Sequence, residues 1–149
     1  MRKLPLTLCA LAAAATLPLL AANTPPADVR ADTLAKIDGL DDRGQKIARL
    51  YLKDRVAGEP VSCIPQTRLR RSTAASDDVL LYDDGSTVYV NAPYLGCRGA
   101  RNNAMISRTP TGRMCSGDII LVQDLVARVP LGSCSLSQFV PFKKVKTGG

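Results

Sequence analysis

Four cysteines, Cys63, Cys97, Cys115 and Cys134, follow an apolar leader. An even set of thiols in an exported chain implies a framework of two structural disulfides. The spacing is wide and contains no Cys-x-x-Cys pair, which argues against a zinc knuckle and against a thioredoxin-like redox site. Four cysteines allow three pairings, and the sequence selects none of them. Each crosslink would close a loop of tens of residues and add about 3–4 kcal/mol in the chain-entropy model.

The leader carries the compartment assignment. Arg2 and Lys3 give a positive start, and residues 4–20 are apolar apart from Thr7 and Thr16. Ala21 and Ala22 offer a small-residue cleavage point, so residues 1–22 read as a secretory signal peptide. An uncleaved membrane anchor is disfavoured because Pro5 and Pro18 interrupt the apolar run. Cys9 lies inside that run behind the bulky Leu8, so it is expected to leave with the signal and to carry no lipid. The expected location is periplasmic or secreted, with no transmembrane segment after cleavage.

Charge and periodicity divide the remainder of the chain. Residues 23–62 hold seven basic and seven acidic side chains, whereas residues 63–149 hold eleven basic against six acidic. Helical signals are confined to the first part. Thr24 and Pro25 can open a helix with Val29, Leu34 and Ile37 on one face, stopping at Gly39. Asp42 with Gln45 forms a capping box for a second helix, with Ile47, Leu50 and Tyr51 at helical spacing and Gly58 and Pro60 at its end. Residues 23–59 are therefore expected to form a helical extension.

Beyond Pro60 short β-rich runs alternate with turns. Strands are expected near residues 64–70, 79–82, 87–91, 104–108, 119–123 and 136–142. Asp83-Asp84-Gly85-Ser86 is a hairpin signal, since Gly85 can take the positive φ of such a turn. The continuous run Ile119-Ile120-Leu121-Val122 suggests a strand buried on both faces. The fold class is α+β, mainly antiparallel β. A small sandwich or partly open barrel of about six strands spans residues 60–142, with two N-terminal helices before it and a basic flexible tail over residues 143–149.

A resemblance can be stated on the cysteine order. Cys63-Ile64, Asp77-Asp78 before a strand, Leu95-Gly96-Cys97 before a basic loop, Met114-Cys115-Ser116-Gly117-Asp118-Ile119-Ile120, and Gly132-Ser133-Cys134-Ser135-Leu136 before Phe139 succeed one another along the chain. This series resembles a family of small exported bacterial proteins, a domain of unknown function with four cysteines and a Cys-x-Gly-Asp segment. The resemblance covers roughly residues 60–142. It implies a boundary near residue 60 and a periplasmic address, and brings no catalytic residue with it.

The chain contains no histidine, which removes every Ser-His or Cys-His pair and every His-ligated metal site. Lysines after Lys53 lie only in the tail, so a Ser-Lys pair lacks its base. No Gly-rich phosphate loop is present. Paired carboxylates remain, and Asp118, beside an apolar strand, is the best placed of Asp77, Asp78, Asp83, Asp84, Asp118 and Asp124. Turn and cap chemistry explains the others more simply, and explains Asp118 equally well.

The remaining clue is arginine, the main cation of the β part with eight Arg against three Lys. Its planar fork suits bidentate contact with phosphate or carboxylate. Arg68 and Arg70 would share a strand face, and Arg98, Arg101 and Arg108 flank later turns. Scattered arginines also solubilise a β domain and protect its edges. Nucleic acid is a poor partner for an exported chain with few stacking aromatics. The expectation is a non-enzymatic envelope module that binds a protein or an anionic envelope component through Arg68, Arg70, Arg98, Arg101 and Arg108, with no cofactor and no metal. The alternative is a small hydrolase or lyase that uses Asp118.

Overall fold

The computed structural model describes residues 28–145, so the signal peptide, the Thr24 cap and the end of the tail lie outside the described residues. Within them the fold is α+β with antiparallel sheets and no closed barrel. Two helices, α1 (Val29–Asp38) and α2 (Asp42–Leu52), precede β1 (Arg55–Ala57), β2 (Cys63–Pro65), β3 (Arg71–Ser76), β4 (Val79–Asp83) and β5 (Thr87–Asn91). Then come β6 (Ala104–Ser107), β7 (Arg113–Cys115), β8 (Ile119–Asp124), β9 (Val129–Ser135) and β10 (Phe139–Lys144).

A five-stranded sheet, ordered β1-β10-β5-β4-β3, forms the middle of the molecule. Alternation along its strands sends side chains to two separate cores. Val79, Leu81, Val88, Val90, Val140 and Phe142 pack under Ile37, Leu40, Ile47, Tyr51 and Leu52 of the helical segment. Leu80, Tyr82 and Phe139 face the other way, against Ile64, Met114, Ile120 and Val122. Those last residues come from a second β layer, made of the three-stranded sheet β6-β8-β9 and the pair β2-β7.

This layering corrects the expectation for residues 119–122. β8 has only its inner face covered, so Ile120 and Val122 are buried while Ile119 is 53% and Leu121 36% exposed. Burial on both faces is found instead in the central sheet, in β4, β5 and the start of β10, which lie between the helices and the second layer.

The helix ends also differ from expectation. Asp28 caps α1 by accepting the N–H groups of Arg30 and Ala31. Asp41, one residue earlier than expected, caps α2 by accepting the Gly44 N–H at 2.8 Å. Gln45 takes no part in a capping box. Its amide donates to the Ile37 and Asp38 carbonyls and ties the end of α1 to the start of α2. Leu50 points to solvent, and α2 ends at Leu52 well before Gly58, because Asp54 at φ 59° turns the chain into β1. β1 then pairs with β10 at the edge of the central sheet.

The first expected strand is also shorter than its pattern suggested. Pairing of β2 with β7 stops at Pro65, where the chain enters a 3-10 turn, Gln66–Arg68. Arg68 is therefore in a turn, and Arg70 precedes β3, so the two do not share a strand face. The β4–β5 hairpin forms as expected, with Gly85 at φ 94° and Asp84 accepting the Ser86 and Thr87 N–H groups.

The four cysteines form two disulfides. Cys63–Cys115 crosslinks directly opposed residues of β2 and β7. Cys97–Cys134 fastens the loop after β5 to β9.

Candidate functional site

The edges of the two β layers diverge beside the 3-10 turn, and a cleft of about 430 Å³ opens between them. One wall is Gln66, Leu69, Arg70, Arg71 and Ser72, leading into β3. The other is Met105, Ile106 and Ser107 of β6, with Met114 of β7 beneath. Leu69, Met105 and Met114 belong to the inner core or pack against it, so the floor is apolar and fixed. The walls are braced by Gln66, whose N–H donates to the Gly112 carbonyl and whose side-chain oxygen accepts the Thr109 hydroxyl at 2.7 Å.

Arg70 and Arg71 line the cleft. The Arg70 N–H donates to the Asp83 carbonyl at 2.8 Å, which sets the backbone just before β3. Its guanidinium lies over Gly85, where a Cβ would stand 2.8 Å from the Arg70 Cζ, so glycine there serves both the turn and the arginine. Arg71 opens β3 opposite Asp83. Both side chains are exposed, no ion pair is formed by either among the described residues, and no carboxylate lines the cleft. The Ser107 hydroxyl on the opposite wall is buried without a hydrogen-bond partner. Such a group favours a polar ligand atom within reach.

The other candidate arginines lie elsewhere. Arg68 is exposed at the end of the 3-10 turn, where its charge reaches the Tyr89 hydroxyl; burial and the Asp84 carboxylate nonetheless raise the pKa of that hydroxyl. Arg98 lines a groove with Tyr94 and Leu95. Arg108 lies beside Gly117 and Asp118. Arg101 pairs with Asp41 at 2.8 Å on the helical side. The five therefore do not converge on one concavity, and only Arg70 shares a cleft with a second arginine, Arg71.

The carboxylates are engaged locally. Asp118 accepts the Cys115 N–H at 2.7 Å, and its own N–H donates back to the Cys115 carbonyl, so it closes the turn between β7 and β8. Asp77 accepts the Gly99 and Arg101 N–H groups, while Asp83, Asp84 and Asp124 hold N–H groups of their own turns. Among the described residues no cluster of three acidic or cysteine side chains is arranged to hold a metal ion, and no helix is long and apolar enough to cross a membrane.

The floor of the cleft leaves no mark in the sequence. Met105 and Met114 carry no local sign of a binding role, and they meet Leu69 only because β6 and β7 return to the start of β3. Comparison of the chain with protein-family models, curated proteins and solved structures finds no match.

Proposed function

We propose that this protein is a non-catalytic binding module of the bacterial envelope, and that it takes an anionic envelope component in the cleft at Arg70 and Arg71. The observation that carries this reading is a cleft lined by two arginines that form no ion pair among the described residues, with an apolar floor and no carboxylate in its lining. An anionic head held by the arginines, with an apolar portion against Leu69, Met105 and Met114, suits that lining. The leader and the two disulfides support an oxidising, extracytoplasmic address. A hydrolase or lyase reaction through Asp118 has less support, because that carboxylate is spent on a turn.

Retention on phosphatidylglycerol vesicles and on isolated peptidoglycan, at low salt, tests the proposal. The double substitution Arg70→Ala with Arg71→Ala is expected to weaken retention at least about tenfold, whereas Arg98→Ala with Arg108→Ala leaves it within about twofold. Equal retention of both double variants would remove the cleft from consideration.

A further inference from the structure

β9 is an outer strand. It pairs with β8 along one edge, and among the described residues no strand covers the other. All its residues but Cys134 are exposed, and it holds no charged side chain. Edge strands are usually protected by charge, proline or a bulge. Here Pro130 and the irregularity at Leu131, opposite Val122 and Gln123, blunt the first part of the strand, while residues 132–135 stay open.

That open part is also anchored by a disulfide and flanked by apolar surface. Its Cys134 is bonded to Cys97, and the loop around Cys97 forms a groove of about 380 Å³ beside residues 133–135. Tyr94 and Leu95 on this loop are 71% and 100% exposed, an unusual position for two large apolar side chains next to an unpaired edge. Arg98 lines the groove at this end of the strand, and Arg128 precedes β9 at the other. Neither forms an ion pair among the described residues, and no carboxylate lines the groove.

We propose that an extended segment of a partner protein adds to this edge as a strand beside β9, with an acidic side chain near each end and an apolar side chain against Tyr94 and Leu95. Main-chain hydrogen bonds supply the affinity in such an addition, and side chains at alternate positions supply the choice of partner. A second copy of this chain fits less well. Antiparallel pairing of β9 with itself would set the Arg128 end of one strand beside the Arg98 end of the other, cation against cation. The proposal does not depend on the Arg70 cleft, which lies between β3 and β6.

Amide hydrogen exchange of the oxidised protein, with and without a capped peptide, tests it. The peptide matches β9 in length, with aspartate at both ends and valine alternating with threonine between. Expected is at least about tenfold slower exchange at the outward-facing amides of β9, saturable in peptide and weakened by about 0.5 M salt. Arg98→Glu with Arg128→Glu, both surface changes, should abolish that protection and restore it for the same peptide with lysine ends. The proposal falls if neither peptide protects β9, or if protection appears only at the Arg70 cleft or the helices. It also falls if β9 is protected by raising the protein concentration alone, since a second copy would then occupy the edge.

Discussion

The Arg101 guanidinium meets the Asp41 carboxylate at 2.8 Å across 60 residues of chain, and this joins the cap of α2 to the loop around Cys97. The same loop is held from the other side by Asp77. Its carboxylate accepts the Gly99 and Arg101 N–H groups at 2.8 and 3.1 Å, and its carbonyl accepts the Cys97 N–H. Helix, sheet and disulfide loop therefore meet at Arg101, which serves the packing of layers.

Loss of the Asp77 carboxylate should loosen this junction. Asp77→Ala leaves two loop N–H groups without their charged acceptor and is expected to cost about 2–4 kcal/mol in urea unfolding under oxidising conditions. Asp78→Ala, at a side chain that accepts no hydrogen bond among the described residues, should cost less than about 1 kcal/mol. Faster amide exchange at Gly99 and Arg101 in the first variant alone would locate the effect.

Acid should weaken this junction and the β4–β5 turn. The Arg101 hydrogen bond, with the Gly44 N–H and nearby positive charge, holds the Asp41 pKa below its ordinary value of 3.8. Burial pushes the Asp84 pKa upward, but hydrogen bonds from Thr87 and Ser86 outweigh it and leave that group lowered as well. A depressed carboxylate contributes stability that is fully present above its unfolded value and is lost as pH falls through its folded value. The urea midpoint should therefore decline on acidification below about pH 4. Arg101→Ala should flatten part of that decline and Asp84→Asn another part; parallel profiles for wild type and both variants would contradict the assignment.

What could be read from the sequence was local chemistry. The Asp84-Gly85 turn needs only its own residues, and the even cysteine set needs only its compartment. The pairing of Cys63 with Cys115 depends on β2 lying beside β7, which no spacing records. Residues 79–82 and 119–122 are both continuous apolar runs, and their difference in burial comes from which layers cover them. β3 escaped notice because its inward residues are Ala74 and Ala75, too small to mark an apolar period. Among the arginines, side-chain type marked Arg70 and Arg101 alike; only the Asp41 carboxylate beside one, and the cleft beside the other, separate a brace from a candidate binding group.

Gly44 shows how closely α2 rests on β3. At an exposed helical site glycine to alanine stabilises by about 1 kcal/mol. A Cβ on Gly44 would instead stand 3.0 Å from the Ala75 carbonyl oxygen and 3.0 Å from the Asp41 carboxylate. The helix would have to lift from the sheet or lose its cap. Gly44→Ala is expected to destabilise by about 1–3 kcal/mol in urea unfolding, the cost typical of overpacking.

Tyr82 lies in the inner core with its ring 5.8 Å from that of Phe139 in an edge-to-face contact. Its hydroxyl is buried without a hydrogen-bond partner, so the fold bears the desolvation of a polar group and gains no bond for it. Tyr82→Phe keeps the ring packing and removes that group, and is expected to raise stability by about 1 kcal/mol. Burial also pushes the Tyr82 pKa above its ordinary value of 10.0. The unfolded chain therefore releases this proton more readily, and stability falls as pH rises past the unfolded value. That alkaline decline should be shallower in Tyr82→Phe than in the wild-type protein when urea midpoints are compared across pH 9 to 11 (about the tyrosine range). A variant less stable than wild type at neutral pH would show that the hydroxyl is satisfied after all.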